Sequence, residues 1–289
     1  MKKIFFLLFL LSCSHQSLAP LNNNHLRYYA FDVGNASCSL VLCPKSKEAI
    51  LFDCGQRQGF PKSEAADKVL RELGERTYTI ILSHAHIDHY SVISTLVKKR
   101  KPEAIFYAGK IENYKTKLEG AQSLSVGQSL SCGAAQGSVL TVNERLDADN
   151  DSSAVFLLQY NKTKLLLPAD ATGLVEEKAK QKINSEIDLL IASHHGESSR
   201  KSNSEDWAHH IKAKMIVYSS GTYSGFTEPK CKVAKRYEPY LMEMPSHDFS
   251  CWEGNKEIIK VQSTKAEFNT SDLGDLVFES DGEKLLKVK

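Results

Sequence analysis

The stretch Ser83-His84-Ala85-His86-Ile87-Asp88-His89 sets three imidazoles and a carboxylate within six residues, directly after the apolar run at 77–82. Imidazole nitrogen and carboxylate oxygen suit a zinc-type ion, held at about 2.0–2.2 Å with one position left for water. His84 and His86 are two residues apart, so on extended chain they point the same way. A turn must then bring Asp88 and His89 onto a second wall of the same cavity. Two ligand pairs from one loop fit two ions about 3.5–4 Å apart. Such an ion lowers the pKa of its water to about 7, and the hydroxide so formed is the expected nucleophile. No Ser or Cys nucleophile with triad partners is evident in the sequence.

Two more apolar runs end in residues able to hold a metal. Leu165-Leu166-Leu167-Pro168-Ala169-Asp170 ends in one carboxylate, placed to bridge two cations, and the run from Leu189 ends in His194-His195-Gly196. One of His194 and His195 is expected as a ligand, and the other is the first candidate for proton donor to the leaving group. Asp88, His194 and His195 are therefore the candidate catalytic residues. Asp53, closing Ile50-Leu51-Phe52-Asp53, is expected to orient a ligand histidine through the ring nitrogen not on the metal. The imidazole-rich set favours zinc, as one or two ions, with manganese or iron as alternatives.

Strand-like runs at 27–33, 37–43 and 48–53 are separated by Gly34-Asn35 and by a polar stretch from Pro44 to Lys47. Ala65, Ala66, Val69, Leu70 and Leu73 make one stripe of a helix over 62–73, and Thr77–Leu82 reads as a strand. A helix ends in the charged run at 98–101 before Pro102. Residues 108–150 carry little pattern. Strands at 154–160 and 163–168 form a hairpin; helices at 172–182, 204–211 and 230–240 then alternate with strands at 186–192 and 214–219, and short strands follow near 257–261, 275–279 and 284–288. Strands in runs, then alternating with helices, predict an α/β fold of layered sheets with helices outside.

The His84–His89 motif resembles the signature of the metallo-β-lactamase superfamily, and more closely the hydrolase domain attached to bacterial DNA-uptake competence proteins. Phe31-Asp32-Val33-Gly34, Phe52-Asp53-Cys54-Gly55, Asn150-Asp151-Ser152-Ser153, Ala169-Asp170 and His194-His195-Gly196 continue the likeness in order, across about 27–240. The resemblance implies a four-layer αββα sandwich with metals at one edge of the sheets. It assigns His84 and His86 to one metal, Asp88 and His89 to the other, Asp170 as the bridge, and His194 or His195 to the second site. The sequence departs from the superfamily in three places. No histidine stands between Tyr90 and Ser193, Tyr90-Ser91 replaces Gly-Gly, and Glu197 follows His-Gly. Asp149, Asn150, Asp151 and Ser152 offer an oxygen to the first metal, with capping or turning the chain as the plainer reading.

Lys2 and Lys3 precede eight apolar residues, Ile4 to Leu11, then Ser12 and Cys13, the layout of an export signal. Eight residues fall well short of the roughly 20 needed to span a membrane. Leu10-Leu11-Ser12-Cys13 resembles a bacterial lipobox. The expected organisation is a signal over 1–12, lipidated Cys13 with a tether over 13–26, and a hydrolase domain over 27–289. The protein would then be exported and held to a bacterial membrane through lipid on Cys13, facing the periplasm or the cell surface. The other six cysteines permit disulfides in 15 connectivities, with Cys54 expected as a buried thiol.

The 289 residues include 37 Lys+Arg and 35 Asp+Glu, for a net charge of +2 that vanishes without Lys2 and Lys3. A neutral chain has no whole-molecule field to gather nucleic acid, so any such partner must meet a local patch. No protein partner is inferable. Arg200-Lys201 and the basic stretch Lys230, Lys232, Lys235 and Arg236 offer phosphate contacts, with a solvated helix face as the plainer reading. Tyr218, Tyr223, Phe226 and Tyr237 offer base stacking. Three functions compete: a phosphodiester hydrolase acting on DNA or another phosphate-bearing polymer, a hydrolase of lactam or lactone rings, and a binding lipoprotein with a degraded site.

Overall fold

The computed structural model describes residues 22–57, 61–144, 149–221, 227–254 and 257–289, so the export signal and Cys13 lie outside the described residues. In chain order come β1 (Leu26–Ala30), β2 (Cys38–Leu42), β3 (Glu48–Cys54), α1 (Lys62–Leu73), β4 (Thr77–Leu82), α2 (Ile87–Tyr90), α3 (Ile93–Lys99), β5 (Ala104–Tyr107) and β6 (Gln122–Ser123). The second half holds β7 (Ser129–Cys132), β8 (Ala135–Thr141), β9 (Val155–Tyr160), β10 (Thr163–Leu167), α4 (Gly173–Lys180), β11 (Leu189–Ile191), α5 (Glu205–Ile211), β12 (Met215–Tyr218) and α6 (Cys231–Tyr237). A hairpin of β13 (Glu243–Glu253) and β14 (Glu257–Lys265) precedes β15 (Glu267–Asn269), α7 (Thr270–Leu273), β16 (Leu276–Ser280) and β17 (Leu285–Lys287).

Two large sheets result, ordered β17-β16-β1-β2-β3-β4-β5-β6 and β15-β12-β11-β10-β9-β8-β7. The two-residue period of their strands decides which side chains meet. Ile50 and Phe52 point between the sheets, where they join Phe156, Leu165, Leu167 and Val217, while Leu51 turns outward beneath Val69 and Leu96 of α1 and α3. Leu166, Leu190 and Ile216 turn outward on the second sheet, beneath Val175, Trp207 and Val233 of α4, α5 and α6. The architecture is a four-layer αββα sandwich. Strands β3, β4 and β5 run parallel, as do β10, β11 and β12. The carboxyl ends of β3, β4, β10 and β11 therefore carry Asp53, the His84 loop, Asp170 and the His194 turn.

Three expectations need correction. Cys54 is not a free thiol: the register of β2 on β3 sets Cys38 opposite it, and the two are disulfide-bonded. Cys43 pairs with Cys132 and Cys231 with Cys251. The weakly patterned middle contains β7 and β8. There Gly137 lies beneath Phe156, whose ring carbon would sit 2.2 Å from an added Cβ. Strand β14 is far longer than the expected 257–261, and β13, mixed in polarity and outside both large sheets, carried no signal. No helix among the described residues is long and apolar enough to cross a membrane.

Candidate metal centre

Strand β4 delivers Ser83, whose N–H and hydroxyl donate to the two carboxylate oxygens of Asp53 at 2.8 and 2.6 Å. Asp53 is fully buried in a left-handed backbone conformation (φ 55°) at the end of β3. Its Oδ2 also lies 2.8 Å from His89 Nδ1. A carboxylate only accepts, so that Nδ1 carries the proton and Nε2 faces the cavity. The one proton of Ser83 goes to Asp53, so its oxygen accepts from His84 Nδ1 at 3.0 Å. His195 Nδ1 donates to the Ser219 carbonyl at 2.7 Å. These partners fix the same tautomer in all three rings.

The Nε2 atoms converge on Asp170, which is 2% exposed. Its Oδ1 is 3.1 Å from His89 Nε2 and 3.6 Å from His195 Nε2. Its Oδ2 is 3.7 Å from both His84 Nε2 and His194 Nε2. Asp88, on the single turn α2, sets Oδ2 3.6 Å from His195 Nε2. His86 Nδ1 meets His84 Nε2 at 3.0 Å, with its side chain 42% exposed and its Nε2 3.6 Å from Asp149 Oδ2. His194 Nε2 lies 3.4 Å from Asn150 Nδ2. The structure thus brings His84, His86, Asp88, His89, Asp170, His194 and His195 to one place, with Asp53 directly behind. Adjacent left-handed conformations at His194 and His195 turn their rings toward opposite oxygens of Asp170.

Two overlapping triplets, His84–His89–Asp170 and Asp88–His89–His195, place their ligand atoms within 4.8 Å of one another. His89 Nε2, His195 Nε2 and Asp170 Oδ1 are buried yet make no aligned hydrogen bond. Leaving a buried polar atom unsatisfied costs about 1–3 kcal/mol, so three such atoms aimed at one space fit a cation. Burial works against a charged His89, but the Asp170 and Asp53 carboxylates outweigh it and push its pKa well above the usual range. Burial is outweighed at Asp170 as well, where His89, His195 and His194 hold the carboxyl well below its usual range. His84, without a carboxylate that close, is lowered by burial.

Several functional groups carried no sequence signal. The Arg57 guanidinium donates to Asp88 Oδ2 at 2.9 Å from a loop position with no periodic pattern, and its side chain is 32% exposed. Gly55 sets that approach, since an added Cβ would lie 1.8 Å from the Asp88 carbonyl oxygen. The Ser219 carbonyl reaches His195 only through the tertiary fold. The basic stretch is dispersed: Lys230 is buried 3.7 Å from Glu197, and Arg236 donates to the Asn203 carbonyl, leaving Lys232 and Lys235 exposed. Tyr218 and Tyr237 are fully buried, which removes them as base-stacking surfaces. Tyr223 and Phe226 lie outside the described residues.

The metallo-beta-lactamase superfamily model matches residues 31–196, which take in every histidine and aspartate of this centre. Recombination protein 2 of Haemophilus influenzae is 26% identical over 215 residues, covering 72% of this chain and 26% of that protein. The chain thus spans about a quarter of that relative's length. A metallo-beta-lactamase fold protein from Bacillus subtilis superposes with a TM-score of 0.54 at 15% identity, covering 87% of this chain and 98% of the other. A diiron beta-hydroxylase from Streptomyces venezuelae gives 0.46 at 16% identity, over 70% of this chain and 46% of that one. With the family match extending over more than half its length and through the whole histidine–aspartate cluster, the chain belongs to the metallo-beta-lactamase superfamily.

Proposed function

We propose that the protein is a metal-dependent hydrolase of phosphodiester bonds that works outside the cytoplasm, tethered through lipid on Cys13. The observation that carries the hydrolytic reading is the placement of Asp170, with two imidazoles facing each carboxylate oxygen. His84, His86 and His194 would hold one divalent ion, Asp88, His89 and His195 the other, and Asp170 both. Ions bound there supply Lewis acidity toward a substrate oxygen and acidify a water molecule. The chain's own part is to fix the ligand rings: Asp53, Ser83 and the Ser219 carbonyl hold Nδ1 of His89, His84 and His195, so each Nε2 stays aimed at Asp170.

Support for a phosphoryl rather than a carbonyl substrate comes from Arg57. A guanidinium beside Asp88 brings a permanent charge and a fork of donors to the mouth of the site, the geometry suited to phosphate oxygens that gather charge during transfer. The likeness to the hydrolase domain of DNA-uptake proteins, and a relative named for recombination, agree with nucleic acid as the polymer. All six cysteines among the described residues are paired, which suits an oxidising compartment. Assays of zinc- or manganese-loaded protein on bis-p-nitrophenyl phosphate, single-stranded DNA and a chromogenic cephalosporin separate the readings. Turnover of the first two supports the proposal. Turnover of the cephalosporin alone supports the lactam reading, and protein that takes up no metal favours a binding protein with a degraded site.

A further inference from the structure

Behind the two C-terminal ligands lies Asn203, fully buried and not part of the cluster itself. We propose that Asn203 is the positioning residue of the metal centre, clamping both ends of the turn that carries His194 and His195; this rests on the metal reading above. His194 (φ 50°, ψ 46°), His195 (φ 57°, ψ 14°) and Gly196 (φ 89°) are three successive left-handed residues. Side chains other than glycine are strained in that region, so the turn needs outside support. Asn203 Nδ2 donates to the Ser193 carbonyl at 2.7 Å and to the Glu197 carbonyl at 2.8 Å. These are the residues just before His194 and just after Gly196. One amide group therefore ties the two ends of the turn together.

Asn203 is itself held from two helices. Its N–H donates to Glu176 Oε1 of α4 at 2.8 Å. Its carbonyl accepts from Arg236 at 2.6 Å, and its Oδ1 accepts from the Tyr237 hydroxyl at 2.9 Å, both on α6. Two carbonyl oxygens on one side and a hydroxyl donor on the other fix which way the amide faces. Asn203 is left-handed too (φ 53°), a conformation in which asparagine is enriched. An aspartate of the same shape would press a carboxylate oxygen against both carbonyls and release the turn.

The test uses the exported chain with ¹⁵N-labelled histidine, as Asn203→Asp, Asn203→Ala and the milder Tyr237→Phe. In metal-free protein the His194 and His195 ring signals should move and broaden, those of His84 and His86 much less, at wild-type circular dichroism. Zinc affinity, read by competition with a chromophoric chelator, should fall about 10–100-fold for the Asn203 variants. A folded Asn203 variant with wild-type histidine signals overturns the proposal, even if its melting temperature drops. Should neither Asn203 variant fold, Tyr237→Phe decides: moved His194 and His195 signals support the clamp, and unmoved signals overturn it. Wild-type protein that binds no zinc defeats the metal reading separately, because the ring signals judge Asn203 without metal.

Discussion

Asp170 faces four imidazoles with two oxygens, so its loss removes a partner shared by all four rings. Asp170→Ala and His86→Ala should each abolish turnover while leaving the far-ultraviolet circular dichroism close to wild type; undiminished activity in both would remove the site. Metal loading should also release protons. Burial opposes charge on His89 and His195, but neighbouring carboxylates raise both pKa values above the usual range, and an ion must displace what Nε2 then carries. A pH indicator in weakly buffered solution should record acidification on adding zinc near neutral pH, and no change would contradict that arrangement. At this scale the sequence was informative wherever chemistry-bearing side chains stand together at the ends of apolar strands. Arg57, Ser219 and Asn203 were invisible because their roles arise from contacts made across the fold, and a lone polar residue in a loop has no period to betray it.

Elements place these residues, and two of their contacts can be tested directly. Gly55→Ala would drive a Cβ to within 1.8 Å of the Asp88 carbonyl oxygen and 2.5 Å of the His89 nitrogen, backbone atoms that cannot step aside cheaply. A loss of about 1–3 kcal/mol in urea unfolding is expected, together with weaker metal binding. Glu176 of α4 has its pKa pushed up to about 8 by burial, which hydrogen bonds from Asn203 and the charge of Arg236 offset only in part. An unfolded glutamate titrates near about 4.3, so between about 4.3 and 8 the folded state keeps a proton that the unfolded state has lost. This contribution is fully present below that window, falls as pH rises through it and is flat above. Wild type should therefore lose stability relative to Glu176→Gln between pH 5 and 8, and parallel melting curves for the two would refute the shift. Helix α1 and strand β4 were readable to their end residues because an apolar stripe and a β-branched run mark them. Strands β7, β8 and β13 were not, since β7 alternates over only four residues and glycine, serine and mixed polarity blur the other two.

For the whole molecule, two sheets face each other and Cys43–Cys132 closes a separation of 89 residues between them. Replacing both cysteines with serine should lower stability by about 2–5 kcal/mol in guanidinium unfolding, and an unchanged midpoint would show that the bridge adds nothing. The layered α/β architecture was readable because strands first come in runs and then alternate with helices. Which cysteines pair was not, because pairing depends on strand register and on which sheet each strand joins. The most direct measurement is hydrolysis of bis-p-nitrophenyl phosphate by the protein after loading with zinc or manganese and again after chelation. The expected result is turnover that requires bound metal, vanishes with chelator and returns on reloading. Metal-replete protein that leaves the phosphodiester intact would contradict the proposed activity.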